Sequence, residues 1–397
     1  MGSGSGYTMG IRRFLLSGVL PMHPRDPEEP HRAATPLELL FDLVFVIAIA
    51  SAAAGLHHAI TAGHLTQGIV TFIAAFFAIW WGWMNFTWFA SAYDNDDALY
   101  RALTLIIMAG ALTVAVGVER LFDSRDLDLI VVGFVIMRVP LAALWLRARR
   151  HDSARKTTTQ LYATGLLLVQ GYWLAFVLMP QGESGLFFLG FAVGALLELC
   201  VPVIAESRGE TPWNKHHIVE RYGLFNIIVM GETILAGSLA LSAADSGRIT
   251  SPLLRIALLS LLIIFALWWL YFSKQEQIKD RALPHALYWG YGHALIYMAG
   301  AALGCGFAVL VDRETGASAI SSTLALYAIC VPISMYVLGI WLIRDLFLLR
   351  GLSRFILPGF ALLILLAPLF LSLEIVAVLT ILSVLLRNRY ASEAYCH

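Results

Sequence analysis

Residues 36–56 read PLELLFDLVFVIAIASAAAGL, and this stretch decides the class of fold. Its only charged residues are Glu38 and Asp42, both near its start. A helix needs about 20 largely apolar residues to cross the hydrocarbon core of a bilayer, because lipid offers the backbone no hydrogen-bond partners. The stretch therefore predicts a membrane-spanning helix.

Similar apolar runs fill the rest of the chain. Apolar residues make up 59% of its 397 residues and charged residues only 14%, whereas soluble domains carry about 25% charged residues. We therefore expect an all-α integral membrane protein of about twelve transmembrane helices, with lipid around most of its surface. A very tight turn joins the last two runs, so ten or eleven spans stay possible. The further runs lie near residues 66–91, 98–118, 127–147, 157–179, 185–205, 216–240, 252–273, 284–310, 320–345, 353–371 and 373–387.

Basic residues indicate the orientation, since cytoplasmic loops of membrane proteins carry an excess of Lys and Arg. Both termini are predicted to be cytoplasmic, with residues 1–34 as an N-terminal arm and 391–397 as a C-terminal tail. The formal net charge is zero, and no nucleic-acid partner is expected. Of the 27 Lys and Arg residues, the outer loops would then hold only Arg120, Arg125, Arg248, Arg255 and Arg313.

The two halves of the chain, residues 35–206 and 207–390, resemble each other. The sequence FAIWW at 77–81 is echoed by FALWW at 265–269, and LIIMAGA at 105–111 by LIYMAGA at 295–301. The preserved order predicts an internal duplication into two six-helix repeats. Because six spans is an even number, the repeats would be parallel, a plan known among transporters.

Ionisable and polar side chains concentrate in a few of the predicted spans. Such groups are costly in lipid and usually face the interior of the bundle or a watery cavity. Most lie near span ends predicted to be cytoplasmic, which indicates a polar vestibule there, with Glu232 near its floor and Gly231 allowing close approach. The candidates for binding a solute or a proton are Glu38, Asp42, Asp94, Asp97, Arg101, His217, Glu220, Arg221, Asn226, Glu232 and His293.

Each candidate also has a purely structural interpretation. Glu38 would stabilise the start of its helix through the macrodipole, and the acidic residues at 94–97 would form a solvated loop. Arg221 would be the partner of a buried carboxylate, and Asp42 would pair with Arg101 or Arg221. Glu232 would be a neutral acid bonded to a neighbouring helix.

Some of these residues also have the chemistry of metal ligands. His217 and Glu220 are three positions apart on one helix, a spacing that can place two ligands on one ion, and His285 and His293 have the same chemistry. A third converging ligand is not evident, so neither a metal nor another cofactor is expected. Handling of protons by histidine and carboxylate is favoured.

Two sequence motifs resemble those of the bacterial low temperature requirement protein A (LtrA) family. They are TPLELLFDLVFV at 35–46 and HIVERYGLFNIIVMGE at 217–232, and the stretch at 94–101 resembles the junction between its second and third spans. The resemblance covers roughly residues 25–385. It implies a multi-pass protein of the bacterial inner membrane and importance for Glu38, Asp42, Glu220, Arg221 and Glu232, without assigning chemistry to them.

The leading functional hypothesis is a proton-coupled secondary transporter or permease of a small polar solute, in which Glu232 alternates between protonated and ionised states. An alternative is a membrane-embedded enzyme acting on a lipid or isoprenoid from the cytoplasmic side. A third hypothesis is a non-catalytic sensor or assembly factor with a structural polar core. The oligomeric state does not follow from the sequence.

Overall fold

The structure is a computed structural model that describes residues 18–30, 32–179, 184–243, 250–273, 278, 281–370 and 372–394. Within these ranges the chain forms twelve helices and no strand. The helices are α1 (Pro36–Thr61), α2 (Leu65–Tyr93), α3 (Ala98–Ser124), α4 (Asp128–His151), α5 (Lys156–Leu178), α6 (Ser184–Glu206), α7 (Lys215–Ala243), α8 (Ser251–Phe272), α9 (Leu283–Glu314), α10 (Ser322–Ile340), α11 (Ile356–Leu366) and α12 (Leu373–Ala394).

Short irregular turns extend two of these helices. A π-helical turn, Trp341–Asp345, continues α10 to Leu348, and 3-10 turns at Gly351–Phe355 and Ala367–Phe370 flank α11. Eleven helices in the described part of the chain are then long and apolar enough to cross a membrane. The remaining helix, α12, has a similar length but carries Glu374, Arg387 and Arg389.

The predicted class of fold is confirmed, because the chain is an all-helical multi-pass membrane protein whose helices coincide with the predicted runs. The orientation and the internal duplication stay predictions. Of the predicted cytoplasmic segments, residues 1–17 and 31 of the arm and 395–397 of the tail lie outside the described residues.

Local sequence explains where several helices begin. Pro36 opens α1, and proline also lies in the first turn of α8 and of α9, where its missing N–H costs nothing. The Ser321 hydroxyl accepts a 3.2 Å hydrogen bond from the Leu324 N–H at the start of α10, an N-terminal cap. At the junction of α2 and α3, Asp96 has φ +48°, a left-handed conformation that aspartate tolerates better than most residues.

Contacts within the chain divide it into two compact units. Unit 1 comprises Met1–Ala48, Ile79–Arg120 and Arg125–Arg221. Unit 2 comprises Ile49–Ala78, Leu121–Ser124 and Tyr222–His397. This division follows spatial contacts and does not test the predicted repeats at 35–206 and 207–390.

Glycines allow close helix crossings inside each unit. In unit 1 a Cβ on Gly133 of α4 would lie 2.7 Å from the carbonyl oxygen of Gly110 on α3, and the reverse distance is also 2.7 Å. In unit 2 a Cβ on Gly306 of α9 would lie 2.1 Å from the carbonyl oxygen of Ala328 on α10. Small residues at such crossings let helices pack backbone against backbone, which is a major source of association in lipid.

Candidate functional site

Arg221 of α7 lies between two carboxylates of α1 within unit 1. Its Nη2 donates a 2.5 Å hydrogen bond to Asp42 Oδ1, and its Nε donates one of 3.3 Å to Asp42 Oδ2. Arg221 Nη1 and Glu38 Oε1 are 2.8 Å apart but lack the direction of a hydrogen bond, so this contact is electrostatic. The Trp83 indole N–H donates to Asp42 Oδ1 at 2.7 Å. Arg221 is thus the partner expected for Asp42, and Arg101 is not.

Glu38 also closes the start of its own helix. The Thr35 N–H and hydroxyl donate to Glu38 Oε2 at 2.8 and 3.1 Å, and the Glu38 N–H donates to Thr35 Oγ1 at 3.3 Å. This reciprocal arrangement is a capping box. His217 Nε2 lies 3.2 Å from Glu38 Oε1. Glu38 therefore stabilises the start of its helix, as its structural interpretation predicts, and it also contacts Arg221 and His217.

We call Glu38, Asp42, His217 and Arg221 the charged cluster. All four side chains are enclosed, with exposures of 0–1%, so they do not line the open vestibule predicted from the sequence. With neutral His217, two carboxylates outnumber one guanidinium, and the cluster carries one excess negative charge. One bound proton makes the cluster neutral, which matters because burying uncompensated charge costs several kcal/mol.

Further groups surround the charged cluster within unit 1. Arg32 and Asp94 interact electrostatically with Glu38, so this pair adds no net charge when Asp94 is ionised. The Tyr100 side chain is 1% exposed, and its hydroxyl has no hydrogen-bond partner in the described part of the chain. Tyr100 lies within electrostatic reach of Glu38 and Arg221.

Asn214 connects the start of α7 to the segment that precedes α1. Its Oδ1 accepts a hydrogen bond from the His217 N–H at 3.0 Å, which caps the helix. Its Nδ2 donates to the carbonyl oxygens of Pro27 and Glu29 at 3.1 and 2.9 Å. Arg32 donates to the carbonyl oxygens of Ala90 and Ser91 at the end of α2. The segment is thereby tied to the helix ends that hold the charged cluster.

The acidic residues after α2 are not a uniform solvated loop. Asp97 is 6% exposed and forms an ion pair with Arg147 of α4. Asp94 is 4% exposed, and its Oδ1 accepts a hydrogen bond from the Asp96 N–H at 2.8 Å. Only Asp96 keeps the solvated role, and it pairs with the exposed Arg101 at 2.6 Å.

Asp94 predicts a pH dependence of stability. Burial, and then the negative charge of Glu38, raises the pKa of Asp94 from 3.8 to about 6. Because the folded protein binds this proton more tightly than the unfolded chain does, Asp94 stabilises the folded state at pH values below its unfolded pKa. This contribution to stability is lost as the pH rises through about 6. Relative to Asp94→Asn, we expect the wild type to lose on the order of 2–3 kcal/mol between pH 4 and 7.

Thermal unfolding of both proteins in detergent at several pH values measures this difference. Asparagine keeps an oxygen that accepts the Asp96 N–H, so packing is matched. Asp96→Asn is the control. Arg101 lowers the pKa of the Asp96 carboxyl, so the contribution of Asp96 to stability increases as the pH rises. If the difference in unfolding free energy between the wild type and Asp94→Asn does not change with pH, the assignment to Asp94 is contradicted.

The other candidates lie apart from the charged cluster. Glu220 accepts a 3.3 Å hydrogen bond from the Ala34 N–H in unit 1. In unit 2, Asn226 donates to the Tyr336 hydroxyl at 2.9 Å. His293 is fully buried. Its Nε2 shares a 3.0 Å hydrogen bond with the Tyr271 hydroxyl, and its Nδ1 lies 2.8 Å from the Trp289 carbonyl oxygen. The rings of Tyr222, Trp289 and Tyr297 surround the His293 imidazole.

Glu232 has a different environment from the other acidic candidates. Its side chain is half-buried in α7 and makes no hydrogen bond or ion pair with any described residue. A Cβ on Gly231 would meet no described atom within 4 Å, so no described helix packs closely against that glycine. The proton role of Glu232 stays a prediction.

The histidines considered as metal ligands do not converge. Among the described residues there is no group of three or more His, Cys, Asp and Glu side chains arranged to hold a metal ion. His217 lies in unit 1, whereas His285 and His293 lie in unit 2.

Sequence reasoning missed a second buried charged group, in unit 1. Arg138 of α4 and Glu198 of α6 form an ion pair at 3.3 Å, with exposures of 1% and 2%. Indole N–H groups of Trp81 and Trp173 donate to the two Glu198 oxygens at 2.7 and 3.3 Å. A lone acid inside an apolar run was the available signal for Glu198.

Comparison with known proteins identifies the family. Residues 33–387 match the family described as bacterial low temperature requirement A protein (LtrA). The chain is also 30% identical over 253 residues to "Uncharacterized protein RA0937" of Rhizobium meliloti (strain 1021), an alignment that covers 62% of this chain and 60% of that protein. No solved structure matches the chain. The family match includes the charged cluster and nearly all of the helices, and the chain belongs to the bacterial LtrA family.

Proposed function

We propose that this multi-pass LtrA protein is a proton-coupled secondary transporter of a small polar solute in the bacterial inner membrane. The charged cluster carries the proposal. Two carboxylates and one guanidinium, enclosed together, are neutral only when a proton is bound to the cluster. A group whose charge balance depends on one proton can couple protonation to a change of conformation.

His217 is the natural acceptor of this proton. Its Nε2 contacts Glu38, and its ordinary pKa lies near neutral pH. The charged groups that act on His217 are Glu38 on α1, Arg221 on α7 and Arg32 before α1. Asp42 and Asp94 in turn interact electrostatically with Glu38. Both termini being cytoplasmic, as the basic residues predict, would place the cluster near the cytoplasmic side.

Glu232 is the second candidate proton carrier. Ionisable residues inside a span usually have a partner or a function, and no partner of Glu232 exists among the described residues. Because glutamine has the same shape, Glu232→Gln should fold like the wild type. We expect it to abolish pH-coupled uptake if Glu232 carries the proton.

Glutamate-to-glutamine substitutions at three positions test which residues take part in proton transport. Wild type, Glu38→Gln, Glu232→Gln and the exposed control Glu119→Gln are reconstituted in vesicles loaded with a pH-sensitive dye. Amino acids, organic acids and osmolytes are added in turn. We expect a solute to move protons in the wild type and in Glu119→Gln, with Glu38→Gln reducing the proton flux at least tenfold.

The pattern of loss decides which group carries the proton. Loss in Glu38→Gln alone assigns it to the charged cluster, and loss in Glu232→Gln alone moves it to that residue. Undiminished flux in both variants removes the proposed proton role. Stabilisation of the purified protein by a metal ion or a polyprenyl lipid, without proton movement, would favour the enzyme hypothesis.

A further inference from the structure

The buried ion pair between Arg138 and Glu198 is accompanied by polar atoms that have no partner. Both amide atoms of Gln170 on α5 lack a hydrogen bond in the described part of the chain, and Gln170 is 4% exposed. Arg138 Nε also lacks a partner there. Leaving one buried polar group unpaired costs about 1–3 kcal/mol, so three such atoms need an explanation.

These groups come from neighbouring helices of unit 1. Within that unit α5 packs against both α4 and α6. Gln170 lies three residues before Trp173 on α5 and so shares its face, and the Trp173 indole N–H contacts Glu198. All of the residues lie near the middle of their helices, where water is scarce and an unpaired amide is most costly.

From this juxtaposition we infer that Arg138, Gln170 and Glu198 form a binding site for a small solute without net charge. This inference rests on the proposed function and names the substrate class. The guanidinium and the carboxylate neutralise each other, so a charged ligand would bring uncompensated charge into the membrane interior. Among the described residues, the donors Gln170 Nε2 and Arg138 Nε and the acceptor Gln170 Oε1 have no hydrogen-bond partner.

The ligand must therefore offer both an acceptor and a donor. A zwitterionic amino acid and a neutral amide share this chemistry. Aromatic rings form part of the surroundings, since the Arg138 guanidinium lies 5.2 Å from the Phe134 ring centre and two indoles hold Glu198. The enclosure of the polar groups requires the ligand to be small and the helices to move for entry.

Thermal unfolding of the purified full chain tests the inference with glycine as the zwitterion and acetamide as the neutral amide. Acetate and methylammonium are the charged controls. The key variant is Gln170→Leu, and Gln160→Leu is the matched control on the same helix, at a half-buried position. We expect glycine or acetamide to raise the melting temperature of the wild type and of Gln160→Leu.

In Gln170→Leu the apparent affinity for glycine or acetamide should fall at least tenfold. Without ligand, this variant should melt at the same temperature as the wild type or at a higher one. Replacing an unpaired amide by an apolar group removes the free-energy cost of burying it. A variant that is more stable but no longer binds the probe therefore indicates a ligand site and not a packing defect. The inference is overturned if neither neutral probe stabilises the wild type, if Gln170→Leu responds like the wild type, or if only acetate or methylammonium stabilises.

The result is separable from that of the proton experiment. Binding of glycine or acetamide that depends on Gln170, without proton movement, would keep the site and remove proton coupling. Proton movement that is unchanged in Gln170→Leu would keep the proposed function and remove the site.

Discussion

Replacing Arg221 with leucine is expected to prevent the protein from accumulating in folded form. The substitution leaves Glu38 and Asp42 enclosed without a cation, since the Arg221 guanidinium is the charged group that contacts both. Removing one member of a buried ion pair typically costs about 3–5 kcal/mol, a large fraction of the stability of most proteins. Size-exclusion chromatography and thermal unfolding of detergent-solubilised protein measure the loss.

A compensated variant separates charge from shape. Glu38→Gln and Asp42→Asn, combined with Arg221→Leu, remove the uncompensated carboxylates and should restore most of the folded protein. Arg101→Leu is the matched control, because Arg101 and its partner Asp96 have side-chain exposures of 59% and 45%, and exposed pairs contribute about 0–1 kcal/mol. If Arg221→Leu folds as well as Arg101→Leu, the charged cluster does not support the structure.

The second large effect is expected at the crossing of α9 and α10. In Gly306→Ala the new methyl group would lie 2.1 Å from the Ala328 carbonyl oxygen, a backbone atom that cannot move without the helix. The helices must separate, and the close packing that holds them in lipid is lost. We expect a destabilisation of about 1–3 kcal/mol or more, the range for overpacked interiors.

Gly171→Ala provides the control for this prediction. A Cβ on Gly171 of α5 would meet no described atom within 4 Å, and alanine favours helix more than glycine does. The same substitution should therefore be neutral or slightly stabilising there. Equal melting temperatures for Gly306→Ala and Gly171→Ala would show that the crossing of α9 and α10 does not depend on the glycine.

The helices could be predicted from the sequence because the bilayer makes the length of apolar runs decisive. The run at 36–56 became Pro36–Thr61, and that at 284–310 became Leu283–Glu314. The turns at the ends of α10 and α11 could not be predicted, because a π-helical or 3-10 turn depends on tertiary contacts. Arg344 of the π-helical turn, for example, donates to the Leu270 and Tyr271 carbonyl oxygens of α8.

Part of the candidate site could also be predicted. The i,i+4 spacing of Glu38 and Asp42 places both on one face of a helix, and a lone buried arginine requires a carboxylate. Which acid Arg221 meets depends on the packing of α1 against α7, which no local pattern encodes. Gln170 has no charge and no motif, so nothing in the sequence marked it.

The pairing of Arg221 with Glu38 and Asp42 also bears on how the chain is made. Arg221 and Asp42 are 179 residues apart in the chain, and synthesis at about 5–20 residues per second needs roughly 10–40 s to cover that distance. During this interval α1 is already available for insertion, and its two acids have no guanidinium. A neutral carboxyl costs less to bury than an ionised one, so we expect both acids of α1 to be protonated until α7 supplies the Arg221 guanidinium.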